Sequence, residues 1–599
     1  MGDQPRVSSA PALSKAAATP HAGRGCAVLR SILHRCRLSF LLLSVVLVQA
    51  SAGSDTTDAV LSALQQELAR WTETLRTAER PAYYIAYWVY DQQGVSLSAT
   101  SGALVSATIG RQRLLDVSVR VGDYTLDNTH ILRGSSGIQF GRGQGSVELP
   151  FDGDTLALRQ VIWQATDRTY KAAVERYEKV LTNRAVKVRE EDTSADFTPY
   201  PPQHFIEPPL PFKCDTAVWA PRLRRLSALL ASQPHVLASQ VSLQATMLRK
   251  YLVASDGSTI VTTEPLWRIT IVARTKADDG MTLPLYRTYL SRSAEGLPTL
   301  DSLESDVRQT VALLEQLRTA PVLETYVGPA MLSGRAAGVF FHEIFGHRAE
   351  GHRIKDPTSS QTLKPFVGKQ LLPPFLDVVF DPTLRSYAGV ELAGSYRYDD
   401  EGVPAERVVS VERGIFRQFL MCRSPIEGFP TSNGHGRKQA GYAPVARQSN
   451  LIVVAHQRVP FDSLRALLRA ECRKQGKPFG LYFDDIAGGF TFTSRGIPNA
   501  FTVQPLVVYK VYADGRPDEL VRGVDFIGTP LATFANIIAA SEEIGVFNGI
   551  CGAESGNVPV SACSPALLVS NIELQKKAKS QSKPPLLPPP VSTFEHESP

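Results

Sequence analysis

The chain has 599 residues, 43% of them hydrophobic and 20% charged, a balance typical of globular proteins and unlike that of disordered or fibrous chains. This length exceeds what one hydrophobic core usually serves, so we predict two domains, residues 53–320 and 321–575. The formal net charge is +6, but six basic residues and one acidic residue place +5 of it in residues 1–52. The remainder is close to neutral and has no dense Lys/Arg run, so no nucleic-acid partner is expected.

Residues 1–52 have the pattern of a secretory signal. A basic segment precedes the apolar run 38–48, and Ala50-Ser51-Ala52 follows as a cleavage site. The run of eleven residues is shorter than the roughly 20 needed to span a bilayer. We therefore predict cleavage after Ala52, a secreted or periplasmic protein, and no stable membrane span afterwards. An uncleaved N-terminal anchor is the alternative.

Helices and strands come in blocks along the first half of the chain. Apolar residues at helical spacing predict helices at 58–77, 154–181, 221–232 and 303–319. Runs rich in aromatic and β-branched residues predict strands at 83–90, 95–104, 113–121, 236–246, 250–254, 258–263 and 267–276. The segment 255–258 reads as a hairpin turn, and the Pro-rich stretch 201–211 reads as a linker or a long loop.

The second half continues the same way. Helices are predicted at 333–341, 461–475 and 529–544, and strands at 378–380, 414–420, 451–454, 482–492, 500–511 and 520–526. From residue 576 the chain is rich in Lys, Ser and Pro and is predicted to be a disordered tail. Because strands and helices are grouped and do not alternate one by one, the expected fold class is α+β with two domains and largely antiparallel sheets.

One short segment concentrates metal-binding side chains. Its residues of interest are His342, Glu343, His347, Glu350 and His352. The two histidines of the His-Glu-x-x-x-His motif are five residues apart, about 140° around a regular helix, so a helix that ends near Gly346 or a π-type turn is needed to bring them together. A helix end with satisfied core histidines is the alternative.

Three separate motifs resemble the TldD/PmbA family of metallopeptidases. They are the segment 342–351, the Asp399-Asp400-Glu401-Gly402 segment, and Gly549-Ile550-Cys551-Gly552 followed by Val558-Pro559-Val560. The resemblance covers about residues 326–574, and the N-terminal half matches only loosely. His352 is a departure, because better-known members carry Asp at that position.

The resemblance implies a zinc site held by His342, His347 and Cys551, with Glu343 as the general base. Cysteine use agrees, because five cysteines follow the predicted cleavage site and an odd number leaves at least one unpaired. Two histidines and a thiolate leave a fourth position open, as catalytic zinc sites do. Cys563 is a second candidate ligand, and a buried apolar role is the alternative for Cys551.

Two further sets of residues belong to the same motifs. Glu350 is predicted either to orient a ligand histidine or to be a surface carboxylate. Asp399, Asp400 and Glu401 are expected to form a turn and loop network.

Three functions fit these observations. The first is a zinc-dependent peptidase that hydrolyses peptides or unfolded polypeptides. The second is a non-catalytic partner subunit of such an enzyme, and the third is a peptide- or envelope-binding protein with a structural metal. The family resemblance also implies a dimer, either a homodimer or a heterodimer with a family member.

Overall fold

The structure is a computed structural model that describes residues 58–132, 145–185, 191–491, 493–495, 501–528, 530–577, 583, 585–587 and 590. The predicted signal segment and most of the predicted tail lie outside these residues. The described residues belong to one compact unit that starts at Thr57, so a domain boundary at residue 320 stays a prediction. Within the described ranges, no helix is both long and apolar enough to cross a membrane.

Eight α-helices lie within the described residues. They are α1 (Ala59–Arg76), α2 (Thr155–Ala185), α3 (Thr216–Ala231), α4 (Leu300–Thr319), α5 (Gly334–Ile344), α6 (His352–Lys355), α7 (Phe461–Lys474) and α8 (Pro530–Ala535).

The N-terminal sheet has seven strands in the order β3-β2-β1-β5-β6-β4, with β7 also paired to β6. The strands are β1 (Ala82–Thr100), β2 (Ala103–Val121), β3 (Val147–Glu148), β4 (His204–Ile206), β5 (Ala238–Ala254), β6 (Thr259–Lys276) and β7 (Thr282–Ser291). Alternate residues of β1 point to opposite faces, as the pleat requires. Tyr87 and Leu97 pack against helices α1 to α4, whereas Trp88 on the other face contacts the C-terminal half through a 2.6 Å hydrogen bond from Nε1 to the Asp400 carbonyl.

The C-terminal sheet has eleven strands, and part of it closes on itself. The strands β8, β17, β18, β20 and β22 form a ring in which each pairs with the next and β22 pairs back to β8. This half of the chain contains β8 (Tyr326–Leu332), β9 (Leu376–Phe380), β10 (Ser386–Tyr387), β11 (Val390–Glu391), β12 (Val408–Glu412), β13 (Ile415–Phe416), β14 (Gly436–Arg437), β15 (Val445–Ala446), β16 (Asn450–Ala455), β17 (Phe479–Thr491), β18 (Phe501–Tyr512), β19 (Glu519–Val521), β20 (Val524–Gly528), β21 (Ile537–Ala553) and β22 (Gly556–Lys576).

The predicted α+β class is confirmed, and most pairings between described strands are antiparallel. Several boundaries differ from the prediction. The predicted strand 95–104 is interrupted by a tight turn that joins β1 to β2. The strand β1 ends at Thr100, β2 begins at Ala103, and Ser101 and Gly102 in the turn both have positive φ. The predicted strands at 258–263 and 267–276 are one continuous strand, β6.

The helix predicted at 529–544 is wrong in its second part. Only Pro530–Ala535 is helical, and Ile537–Ala553 is a strand that pairs along its length with β22. The apolar residues that fit a helical period divide between the short helix and the strand. A long cross-strand pairing outweighed the weak local preference, as is common for short apolar runs.

Helix α5 lies in the centre of the C-terminal core and carries the candidate site at its end. Ser333 caps its first turn by accepting a 3.1 Å hydrogen bond from the Ala336 amide. Glycines let it approach the β21–β22 hairpin closely, since a β-carbon at Gly338 would lie 2.7 Å from the Ala562 carbonyl oxygen. Phe340 within the helix and Phe345 at its C-terminal end are both buried in the surrounding apolar core. The helix thus holds His342 and Glu343 in a rigid frame.

Candidate metal centre

The two histidines of the motif meet because the helix changes type between them. Helix α5 ends at Ile344, and Gly346–Arg348 form a 3₁₀ turn that carries His347. The rings of His342 and His347 lie 5.0 Å apart at their centroids. The prediction that a regular helix cannot bring them together is confirmed. The helix ends two residues before Gly346, close to the predicted end, and a 3₁₀ turn follows in place of a π-type turn.

Residues from outside the motif determine where the helix ends. The Arg348 guanidinium donates to the carbonyls of Glu343 at 2.9 Å and Ile344 at 3.1 Å, which satisfies acceptors left open at the helix C-terminus. Gln448 occupies the space beside Gly346, where a β-carbon would lie 1.9 Å from its Oε1 atom. A side chain at Gly346 would therefore displace the turn that positions His347.

The third predicted ligand reaches the same place from the far end of the chain. Cys551 lies on β21 opposite Val558 of β22, and its Sγ atom is 3.4 Å from His347 Nε2. Ligand atoms of His342, His347 and Cys551 all lie within 4.8 Å of one another, and all three residues are buried. The structure therefore brings the three predicted ligands together.

This arrangement fits a metal ion. The buried Nδ1 atom of His342 has no hydrogen-bond partner among the described residues, and such an atom is costly to bury unless a ligand satisfies it. Two imidazoles and a thiolate are donors that zinc prefers. Zinc therefore fits the donor set, and three protein donors are one fewer than the four of a tetrahedral zinc site.

The charges within the cluster support each other. Burial raises the pKa of the Cys551 thiol, but the His347 and His342 imidazoles outweigh this and hold that pKa well below its ordinary value. Burial lowers the pKa of His347, but the negative charges of Cys551 and Glu350 raise it well above its ordinary value. The protein environment thus favours the thiolate, which is the form that binds metals.

The predicted general base lies beside the metal ligands on the same helix. Glu343 is buried, and Gly489 of β17 provides the space for its side chain. A β-carbon built at Gly489 would lie 2.4 Å from Glu343 Cγ and 3.0 Å from its Oε1 atom. No side chain larger than a hydrogen atom fits at position 489 while Glu343 keeps this conformation.

Glu350 is fully buried, so the surface alternative for it is wrong. Its Oε2 atom lies 3.2 Å from Nδ1 of His347 and accepts hydrogen bonds from Arg353 at 2.8 and 3.0 Å. Burial raises the pKa of this carboxyl, but His347 and Arg353 hold the pKa far below its usual range. A charged Glu350 therefore fixes the ring of His347, as carboxylates commonly do for metal-binding histidines.

The other candidates lie outside the group. His352 is buried with its Nε2 atom 3.7 Å from Glu554 Oε2. Cys563 lies in a separate apolar cluster with Val379 and Ile452, and burial raises the pKa of its thiol to about 12. The second candidate ligand is thus not brought to the site.

The Asp-Asp-Glu segment forms a buried loop network, as expected. Asp399 accepts backbone hydrogen bonds from Glu401 and Val403, both at 2.9 Å, and burial raises its pKa well above the ordinary value. Asp400 forms a 2.9 Å ion pair with Lys250 of β5. The segment therefore ties the C-terminal half to the N-terminal sheet.

Sequence reasoning missed Arg447, Gln448 and Gly489, although each touches the site. None belongs to a motif with recognisable ligand spacing, and each reaches the site through the fold. Glycine pairs such as Gly488-Gly489 in a strand indicate close approach of another group. This glycine pair is the one sequence feature that indicates a contact at Gly489.

The fold and the buried His-His-Cys cluster with an adjacent glutamate define the class: an α+β protein with a candidate catalytic metal centre. Residues 325–576 match the family described as PmbA/TldA metallopeptidase C-terminal domain. A metalloprotease of Archaeoglobus fulgidus is 30% identical over 273 residues, which are 46% of this chain and 59% of the relative. A zinc metalloprotease TldD homolog of Saccharolobus solfataricus is 25% identical over 279 residues, 45% of this chain and 57% of that protein.

The fold comparison reaches further along the chain. A putative modulator of DNA gyrase from Thermotoga maritima superposes with a TM-score of 0.57 at 15% identity, over 86% of this chain and 99% of that one. This chain spans less than two thirds of the length of the two sequence relatives. Residues 325–576 are thus similar to the PmbA/TldD family, the predicted resemblance is confirmed, and both sequence relatives are named metalloproteases.

Proposed function

We propose that this protein is a zinc-dependent peptidase that hydrolyses peptides or unfolded polypeptides. The observation that carries the proposal is the convergence of His342, His347 and Cys551 beside Glu343. One relative is named a zinc metalloprotease, which supports the choice of metal.

His342, His347 and Cys551 would hold the ion. When bound, zinc acts as a Lewis acid that polarises a carbonyl group and lowers the pKa of a water molecule towards about 7. Glu350 holds the Nδ1 side of His347, which leaves the Nε2 side directed at Cys551. The thiolate favoured at Cys551 supplies negative charge to the site.

Glu343 performs the proton transfers in this proposal. Its carboxylate accepts a proton from the attacking water and delivers it to the leaving amine, so that the peptide bond breaks to a carboxylate and an amine. Burial beside Gly489 holds the carboxylate in one place and limits competing contact with bulk water. The rigid helix α5 fixes it relative to His342, its neighbour in sequence.

The substitution Glu343→Gln tests the proposal. The amide keeps the shape of the side chain but does not accept the proton, so hydrolysis of an unstructured peptide should fall about 10²- to 10⁴-fold. Zinc content, measured by atomic emission, should be unchanged because no ligand is removed. Glu542→Gln, at an exposed position of β21, is the matched control and should keep the activity of the parent.

The outcomes separate the three candidate functions. A parent protein that binds zinc and loses hydrolysis in Glu343→Gln is a peptidase. A parent that binds zinc but hydrolyses no peptide supports the partner-subunit or structural-metal alternative. Full activity in Glu343→Gln contradicts the assignment of the base. Dimerisation and export stay predictions.

A further inference from the structure

Arg447 has a fully buried side chain beside the metal centre. It and Arg423 are the two largest fully buried side chains of the described residues, and both are arginines. An arginine charge is costly to remove from water unless ion pairs and hydrogen bonds compensate. The groups that contact the Arg447 guanidinium therefore indicate its structural role.

The guanidinium of Arg447 binds the backbone of the hairpin that carries Cys551. Its Nη2 atom donates to the carbonyl oxygen of Cys551 itself at 2.8 Å. Its Nη1 atom donates to Ser555 Oγ at 2.9 Å and to the Gly556 carbonyl at 3.0 Å. One side chain thus holds both the ligand residue and the turn that joins β21 to β22.

The third side of the guanidinium faces Glu350. The Nε atom of Arg447 lies 3.4 Å from Glu350 Oε1, and the other carboxylate oxygen lies 3.2 Å from His347 Nδ1. A continuous series of polar contacts therefore runs from Cys551 through Arg447 and Glu350 to His347. It joins two residues that are 204 positions apart in the chain.

We propose that Arg447 is a positioning residue of the metal centre: through Glu350 it fixes Cys551 relative to His347 and so tightens metal binding. This inference rests on the proposed metal site. Groups that orient ligands typically change metal affinity 10- to 100-fold when they are removed. The planar fork of arginine makes three differently directed contacts here, which the single ammonium of lysine does not reproduce.

The test uses the full chain with Arg447→Lys and Arg447→Met. Zinc affinity, measured by competition with a chelator, should fall 10- to 100-fold in both variants. In the cobalt-substituted proteins, the thiolate-to-metal absorption band should weaken because Cys551 is less well held. Arg423→Met is the matched control, since Arg423 is equally buried but pairs with Asp256 at 2.8 Å and with the Thr198 carbonyl at 2.9 Å. Its apo-protein should be destabilised while affinity and spectrum stay those of the parent.

A double-variant cycle tests the route through Glu350. If the two residues act as one unit, Glu350→Gln combined with Arg447→Lys should weaken zinc binding by less than the product of the single effects. Arg447→Lys that folds and keeps the parent's zinc affinity and cobalt band would overturn the inference while leaving the peptidase proposal intact. A parent chain that binds no zinc would overturn both. If Arg447→Met does not fold, the Arg447→Lys result decides.

Discussion

The contact between Gly489 and Glu343 leads to a sharp prediction about catalysis. In Gly489→Ala the new β-carbon would start 2.4 Å from Glu343 Cγ, whereas ordinary contacts begin at 3.4 Å, so the glutamate has to retreat by about 1 Å. A misplacement of this size in a catalytic group can cost about 10²-fold in rate, or about 2.7 kcal/mol of transition-state stabilisation. Zinc content should not change, because the three atoms nearest to the new β-carbon all belong to Glu343 and none to a metal ligand.

The neighbouring glycine provides the control. A β-carbon built at Gly488 meets no atom within 4 Å, so Gly488→Ala should keep the activity of the parent. The assay is the hydrolysis rate of an unstructured peptide at saturating substrate, with zinc measured on the same samples. Equal activity in the two alanine variants would refute the reasoning, and so would loss of zinc in Gly489→Ala.

Three further outcomes follow from the structure. Cys551→Ser and His347→Ala should each lose zinc, whereas His352→Ala should keep it, because His352 lies outside the ligand group. Metal analysis after dialysis measures this, and tight zinc binding by Cys551→Ser would contradict the assignment. Burial lowers the pKa of His435 to about 3, below the ordinary 6.5. Between these pH values the unfolded state binds more protons than the folded state. The free energy of unfolding should therefore fall as the pH drops from about 6.5 towards 3. His435→Gln should show a shallower loss of melting temperature over that range, and an unchanged slope would exclude His435 as a cause. Ser333→Ala removes the cap of α5 and should lower the unfolding free energy by about 1 kcal/mol, measured by denaturant titration.

Local sequence patterns anticipated the elements around the site better than the site's supporting contacts. Helix α5 was predictable because its apolar run is bounded by a capping serine and ends where His342 and Glu343 interrupt it. The three ligands were predictable because side-chain chemistry restricts zinc to few residue types, and the family motifs named which ones. Arg447 and Gly489 were not, because their roles depend on distances between strands that lie far apart in the chain.

The errors have a similar origin. The sequence predicts a helix over 537–544, where the structure has the strand β21, because the apolar residues fit a helical period and the pairing with β22 is not visible locally. The turn at Ser101-Gly102 was missed because a serine with positive φ is unusual. For Glu350 the sequence leaves two readings open, a surface carboxylate and a residue that orients a histidine, and the distant Arg447 is brought to it only by the fold. Pairing between distant segments thus decides the cases of β21 and Glu350.

The position of β22 after the other described strands affects the order in which the metal centre is assembled during synthesis. This strand, Gly556–Lys576, pairs with β8, β16, β20 and β21. The last strand of the described chain is therefore a central member of its sheet. Chains emerge from the ribosome N-terminus first, so helix α5 is made long before the strand it packs against. The histidines are therefore present early and the cysteine late. A growing chain therefore has an incomplete metal centre until β21 and β22 have been synthesised, and the proposed activity would be absent until then.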